Sequence, residues 1–116
     1  MGIFRTESKL LALADKHAEF QARYEAIRIP NSNPVFNTAY TEYVELGNLL
    51  LASRAALMGA TARKESRGSH FREDYLKRDD VNFLKHSMVT MDESGKMHLD
   101  WKDVVVGQFK IEERKY

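Results

Sequence analysis

One short segment divides the chain, and it contains both of its prolines. Residues 28–37 read RIPNSNPVFN and include three asparagines as well. Proline removes a helical hydrogen bond and asparagine favours turns, so a helix does not continue through such a segment. Long apolar patterns at helical spacing lie on both sides of it. The segment is therefore a connector, and the chain is expected to be mainly α, with two long antiparallel helices.

The first helix is predicted over residues 6–27. Thr6 or Ser8 is expected to cap it. Its apolar face repeats every three or four positions, which is the helical period. That face consists of Leu10, Leu13, Ala14, His17, Phe20, Tyr24 and Ile27. His17 lies on this face, where a hydrogen-bonded core histidine is commoner than a metal ligand.

The second helix is predicted over residues 38–64, with Asn37 or Thr38 at its start. Its stripe is Tyr40, Tyr43, Leu46, Leu50, Leu57 and Thr61. Between Leu49 and Ala62 the helix is apolar on nearly all sides, and two helices cannot cover such a surface. A third helical element or another chain is therefore implied.

After the second helix the chain is first polar, and then its apolar and polar residues alternate as in β-strands. Residues 65–84 are predicted to form a polar loop with one short helix, capped by Asp79 or Asp80. Residues 85–102 are predicted to form a β-hairpin with Gly95 in a left-handed turn, and residues 103–116 an extended tail. His86 and His98 are expected at strand edges, facing solvent or each other. All 116 residues are expected to form a single domain.

Composition excludes several classes of function. The net charge is +1, from 18 basic and 17 acidic residues, so no strong field favours nucleic acid or anionic lipid. The absence of cysteine excludes disulfides and thiolate chemistry. The longest apolar stretch, Leu49–Met58, is interrupted by Ser53 and Arg54 and is too short to insert into a membrane.

The segment 62–86, ARKESRGSHFREDYLKRDDVNFLKH, resembles the C-terminal signature of succinate dehydrogenase and fumarate reductase flavoprotein subunits. GIFRT near the start, VFN, VELGN at 44–48 and a terminal pattern of Arg114 and Tyr116 follow the order of this family. Leu76 departs from it, because many relatives have proline there. L-aspartate oxidases carry a related domain, but the RDDVNFLKH continuation is more similar to the dehydrogenase and reductase branch.

The resemblance implies a part of an FAD-dependent oxidoreductase that interconverts succinate and fumarate in electron transport and the tricarboxylic acid cycle. In that family the groups that bind FAD and the dicarboxylate precede this domain, so no catalytic, cofactor or metal residue is expected here. The implied partners are the flavin-binding domain of the parent chain and an iron-sulfur subunit. The parent would be cytoplasmic, or peripheral on the cytoplasmic face of the membrane.

Family chains also place a helix before GIFRT, so we expect a truncated three-helix bundle, similar to a spectrin repeat. Such a chain would expose the second helix and self-associate as a dimer or larger. A free-standing helical interaction module is the alternative.

The polar loop supplies the candidate site. An arginine and histidine pair could bind a carboxylate and move a proton, but no nucleophile or phosphate-binding loop accompanies it. Asp79 and Asp80 could bind a divalent cation, yet capping and pairing with Arg72 or Lys77 account for them better. Gly68 fits a helix stop or a close backbone approach. We therefore predict a domain interface at Arg63, Glu65, Ser66, Arg67, Gly68, His70, Arg72, Asp74, Tyr75, Arg78, Asp79, Asp80, Asn82 and His86.

Overall fold

Two long helices and a C-terminal hairpin make up most of the computed structural model, which describes residues 2–30, 33, 35–108 and 110–112. Helix α1 spans Glu7–Glu25 and helix α2 spans Thr38–Ala62. The predicted mainly helical fold is confirmed. Three positions of the predicted connector, 31, 32 and 34, lie outside the described residues.

Side chains cap both helices at their first turns. The Thr6 hydroxyl accepts a hydrogen bond from the Lys9 amide at 3.3 Å. The Asn37 side-chain oxygen accepts one from the Tyr40 amide at 3.1 Å. Each cap satisfies an amide that the helix itself cannot pair, which explains why α1 and α2 begin where they do.

The contacts between α1 and α2 show that they run antiparallel. Leu10, early in α1, packs in one cluster with Leu57, late in α2. His17 lies in the middle, with its Nε2 2.9 Å from the carbonyl oxygen of Leu50. Further along α1, the Tyr24 ring stacks on Tyr43 with ring centroids 4.5 Å apart. His17 is thus a hydrogen-bonded interface histidine.

The shared core is small for helices of this length. Leu10, Leu57 and Ala60 form its buried cluster, with Leu13 packed against it. Several residues of the predicted stripes are largely exposed, among them Tyr40 at 57% and Phe20 at 41%. Leu49 is 66% exposed on another side of α2. The predicted excess of apolar surface on α2 is therefore present, and within the described residues the α1 and hairpin contacts leave much of it open.

Strand β1 (Phe4–Arg5) pairs with strand β2 (Phe71–Arg72) in parallel, and this pairing was not predicted. The Glu73 amide donates to the Arg5 carbonyl oxygen at 2.8 Å. The Phe4 and Phe71 rings meet edge to face, 5.8 Å apart. The residues before α1 are thereby tied to the middle of the polar loop.

Helix α3 (Asp80–Phe83) precedes a hairpin of strands β3 (Lys85–Met91) and β4 (Met97–Asp103). Gly95 has a φ of +82°, as predicted for the turn. Met97 is buried at the base of the turn. His86 pairs across the hairpin with Lys102 and His98 with Thr90, so the idea that the two histidines face each other is wrong. The extended tail has no helix or strand at 104–108 and 110–112; positions 109 and 113–116 lie outside the described residues.

Candidate functional site

Together with Glu65, Arg72 is one of two charged residues of the polar loop that have no exposed surface. Its Nη2 donates to Glu7 at 2.6 Å, and its Nε donates to Asp74 at 2.7 Å. Its Nη1 donates to the Ala60 carbonyl oxygen at 3.3 Å, and the Tyr75 ring lies 5.0 Å from the guanidinium. These contacts join α1, α2 and the polar loop at one point. We call Arg72, Glu7 and Asp74 the Arg72 cluster.

Arg72 and Asp74 stabilise each other's charged forms. Hydrogen bonds from Arg72 hold the pKa of the Asp74 carboxyl far below its ordinary value. The Asp74 carboxylate in turn raises the pKa of Arg72, because it stabilises the charged guanidinium. A buried charge is stable only while its oppositely charged partners and hydrogen bonds remain in place. Each member of the cluster therefore depends on the others.

A second cluster surrounds Glu65, which is also fully buried. Its carboxylate accepts hydrogen bonds from Arg63, from Arg67 Nε at 2.8 Å and from the Asp79 amide at 2.8 Å. Burial opposes ionisation of Glu65, but these hydrogen bonds outweigh it, so its pKa lies below the ordinary value. We call Glu65, Arg63, Arg67, Arg78 and Asp80 the Glu65 cluster.

Asp80 links two arginines of this cluster. Arg67 donates to its Oδ1 at 2.6 Å, and Arg78 donates to its Oδ2 at 2.7 Å. Hydrogen bonds and charge from these arginines, Arg67 first, lower the pKa of Asp80. The expected pairing with Arg72 or Lys77 is therefore wrong. Arg72 is instead saturated by Glu7 and Asp74, which the chain folds against it.

Arg63 connects the end of α2 to the hairpin. It donates to the carbonyl oxygen of Phe83 at 2.8 Å, to that of Lys85 and to the Ser87 hydroxyl at 3.1 Å. Its guanidinium also lies 5.2 Å from the centre of the Trp101 ring. One side chain therefore fixes where β3 begins relative to α2.

His70 pairs with Arg5 from the opposite end of the sequence. Arg5 Nη1 lies 2.8 Å from His70 Nδ1, and His70 Nε2 lies 3.1 Å from the Arg63 carbonyl oxygen. A guanidinium only donates, so Nδ1 must accept and Nε2 must carry the proton. Burial lowers the pKa of His70, and the charges of Arg5, Arg72 and Arg63 lower it further. The ring is held neutral in one tautomer.

Gly68 and Ser66 shape the backbone between these clusters. Gly68 has a φ of +59° and lies in a tight turn closed by hydrogen bonds between Arg67 and His70. It is not the helix stop, because α2 ends at Ala62. It is not a close approach either, because no heavy atom lies within 4 Å of where a Cβ would be. The Ser66 hydroxyl accepts from the Arg72 amide at 2.8 Å.

The other predicted site residues lie at the rim. Asp79 caps α3 by accepting from the amides of Val81 and Asn82, and the Asn82 side chain donates back to it at 2.8 Å. Tyr75 is 37% exposed beneath Arg72. His86 is exposed on β3 and joins neither cluster. Among the described residues, no group of three or more His, Asp or Glu side chains is arranged to hold a metal.

Sequence reasoning did not identify Arg5, Glu7 and Ser87, although each binds a predicted site residue. Glu7 looks like an ordinary first-turn acid, and Arg5 precedes any periodic segment. Their partners are far away in the sequence, so only the fold brings them together. The segment GIFRT contains Arg5 and formed part of the family resemblance, so it was the one sequence feature that could have indicated a role for Arg5.

The fold and the clusters define a helical domain in which the buried charges pair within the chain and join α1, α2 and the hairpin. The whole chain, residues 1–116, matches the family model described as fumarate reductase flavoprotein C-term, and the chain belongs to this family. It is the C-terminal domain of a fumarate reductase or succinate dehydrogenase flavoprotein subunit. The predicted resemblance is confirmed, and the L-aspartate oxidase alternative is not favoured.

Known relatives show how far the similarity extends. The chain is 82% identical over 116 residues to the 8-methylmenaquinol:fumarate reductase flavoprotein subunit of Wolinella succinogenes, covering 100% of this chain and 19% of that protein. It is 39% identical over 104 residues to the succinate dehydrogenase flavoprotein subunit of Rickettsia conorii, covering 90% and 17%. A solved structure of Escherichia coli quinol fumarate reductase matches with a TM-score of 0.90 and 39% identity, covering 97% and 20%. The chain thus spans about a fifth of the length of these relatives.

Within the part of the chain that the structure describes, no helix combines the length and the apolar character needed to span a bilayer.

Proposed function

We propose that this chain is a docking and supporting domain of an enzyme that interconverts succinate and fumarate. In the whole protein, a flavin-binding domain would hold FAD and the dicarboxylate, and this chain would supply no catalytic, cofactor or metal group. Support comes from the names of the relatives, which are flavoprotein subunits of fumarate reductases and succinate dehydrogenases, and from the small share of each that the chain matches. The remaining partners are an iron-sulfur subunit and, for the complex as a whole, the cytoplasmic face of a membrane.

The observation that carries the docking role is that buried, internally hydrogen-bonded charges of the polar loop lie beside exposed apolar side chains. Glu65 and Arg72 are buried and bind within the chain, so they fix the loop rather than touch a partner. The same loop and α3 expose Leu76 at 65% and Val81 at 89%. A preformed surface with apolar contacts and a charged rim is typical of protein interfaces. The fourteen predicted interface residues thus divide into those that shape the surface and those that lie at it.

Charge substitutions in the whole flavoprotein subunit test the docking role. Leu76→Glu and Val81→Glu should weaken docking, because each places a charge in an interface that excludes water. The expected result is faster proteolytic separation of this domain and loss of fumarate reductase activity. Met91→Glu is the matched control, since Met91 is 52% exposed but lies at the far end of the hairpin. Unchanged proteolysis in both loop variants would contradict docking through this surface.

The proposal also assigns the chemistry to the rest of the protein. The purified chain, given FAD and a reduced dye, should not reduce fumarate. Turnover that depends on His70 would instead identify the Arg5 and His70 pair as a catalytic site.

Exposed apolar side chains on α2 support a further part of the proposal, that the isolated chain self-associates. Leu49 is 66% exposed and Leu51 is 42% exposed on this helix. Apolar surface left open in this way favours association. Sedimentation velocity should show a dimer or larger species, and Leu49→Lys should shift it toward monomer. A monomer at all concentrations would favour the free-standing module.

A further inference from the structure

An open depression lies between β1, the last turns of α2 and the start of the hairpin. Its volume is about 300 Å³. Small side chains of α2 and Val89 form the apolar part of its wall. Its polar lining consists of Arg5, Arg63, His70 and Ser87, and no carboxylate among the described residues lines it. The depression is therefore positively charged.

Among the described arginines in and around the depression, Arg5 differs from the others because it has no acidic partner. Arg63, Arg67, Arg72 and Arg78 each have a carboxylate within 4.0 Å, in the ion pairs with Glu65, Asp80, Glu7 and Asp74. Arg5 has none among the described residues. It donates to the Gly2 carbonyl oxygen at 3.0 Å and to His70 at 2.8 Å. Its Nη2 has no partner in the described part of the chain, so this nitrogen remains free to donate to a ligand.

Arg5 is also held in place, unlike a mobile surface arginine. Its backbone pairs with Arg72 and accepts from the Glu73 amide at 2.8 Å. His70, which fixes the side chain, is itself anchored on the Arg63 carbonyl oxygen. The entropy of ordering this guanidinium is lost when the chain folds and not when a ligand binds, which strengthens binding. A carboxylate is an acceptor that pairs strongly with a guanidinium donor in proteins.

We infer that Arg5 receives the carboxylate of an aspartate or glutamate from the flavin-binding domain of the whole protein, with His70 as the positioning residue. The inference rests on the docking function proposed above. Two neighbours favour a protein surface over a small free dicarboxylate. Ile3 is 70% exposed and Phe4 is 63% exposed beside Arg5. Apolar side chains next to a fixed charge fit an interface in which one acid is buried among apolar contacts.

Zero-length cross-linking in the whole flavoprotein subunit tests the inference. A carbodiimide joins a lysine amine to a carboxylate in direct contact with it, so Arg5→Lys creates a reporter at the proposed site. We expect a cross-link from the introduced lysine to an Asp or Glu of the flavin-binding domain, with a yield about tenfold above that of Arg28→Lys. Arg28 is a matched control because it is exposed and, among the described residues, donates to the backbone carbonyl oxygens of Glu25 and Ile27.

A second variant covers the case in which Arg5→Lys disturbs the fold. In Arg5→Gln, the same flavin-domain carboxylate should become about tenfold more reactive toward an amine label, because its ion pair is lost. Links only to acids of this chain, to another subunit or to added succinate would overturn the inference, as would no link in a folded protein. If native lysines of this chain still link to the flavin-binding domain, the docking function survives while the role of Arg5 does not.

Discussion

The helix pair and the polar loop reverse the usual relation between composition and burial. Helix α2 is rich in leucine and alanine, yet Leu49 is 66% exposed and Leu51 is 42% exposed. The loop is rich in charge, yet it contains Glu65 and Arg72, which have no exposed surface. Each buried polar side-chain atom among the described residues has a hydrogen-bond partner. The buried polar groups of the loop therefore have their hydrogen-bond partners, whereas the helices still expose apolar surface.

The difference shows that two kinds of force hold the two regions. In the helix pair, burial of a few apolar side chains is non-directional and leaves room for another partner. In the loop, charge-assisted hydrogen bonds fix particular atoms, and breaking one pair leaves a charge without compensation. Substitutions in the loop should consequently cost more than substitutions on the outer side of α2.

The largest effect is expected for Arg72→Met. Methionine keeps much of the apolar volume but leaves Glu7 and Asp74 without their shared cation. Glu7 and Asp74 keep 39% and 28% of their side-chain surface exposed and can be hydrated once Arg72 is gone, so the loss of unfolding free energy should be about 3 kcal/mol. Denaturant unfolding followed by circular dichroism measures it, at one fixed protein concentration because association would shift the midpoint.

Arg54→Met is the control for that measurement, because Arg54 is an exposed arginine of α2 without an ion pair among the described residues. It should stay within about 0.5 kcal/mol of wild type. A loss below about 1 kcal/mol for Arg72→Met would mean that the Arg72 cluster does not hold the loop.

Asp74→Asn should have the next largest effect, about 2 kcal/mol at pH 7, because it weakens two charge-assisted hydrogen bonds from Arg72. It should also change the acid response. The pKa of Asp74 is lowered in the folded chain, so its contribution is full above the unfolded value of about 4 and is lost as the pH falls below it.

The acid response separates the Arg72 cluster from ordinary surface charge. Unfolding free energy should drop less steeply between pH 5 and pH 3, values that bracket the unfolded pKa of about 4, in Asp74→Asn than in wild type. Asp15→Asn, at an exposed aspartate of α1 without an ion pair among the described residues, should leave the slope as it is. If unfolding free energy fell equally steeply with pH in all three proteins, Asp74 would not contribute to the acid response.

Periodicity and local chemistry were sufficient to predict the long helices and the hairpin. The caps at Thr6, Asn37 and Asp79 could be predicted because each side chain binds an amide only two or three residues ahead in the sequence. Strands β1 and β2 could not be predicted in this way. Each has only two residues, too few to show alternation of apolar and polar side chains, and the two strands are distant from each other in the sequence. Local pattern has no information about such pairs.

The site shows the same limit at the level of side chains. The sequence showed that many charged residues share one loop, and in the structure several of them pair with each other. The pairs themselves were not predictable: Arg72 binds Glu7 from α1, and Asp80 binds Arg67 and Arg78. Whether the fourteen predicted residues meet the flavin-binding domain stays a prediction.

A smaller effect, dependent on pH, is expected for His70→Gln. Glutamine can accept from Arg5 and donate to the Arg63 carbonyl oxygen, so at pH 8 the loss should be within about 1 kcal/mol. The pKa of His70 is lowered in the folded chain by burial and by the charges of Arg5, Arg72 and Arg63. The wild type should therefore lose stability as the pH falls below the unfolded value of about 6.5. The variant should lose less over that range, and an equally steep loss would contradict the neutral ring.

The smallest effect is expected for Leu49→Ala, and it sharpens the contrast between the regions. Leu49 is 66% exposed, so in this chain, kept dilute to limit association, the change should stay within about 0.5 kcal/mol. Its neighbour Leu50 is 8% exposed, and Leu50→Ala should cost about 2–5 kcal/mol in the same assay. In the whole subunit, Leu49→Ala should become more costly if another helix or domain covers this side of α2. An effect near zero in both settings would mean that the outer side of α2 faces water in the whole protein as well.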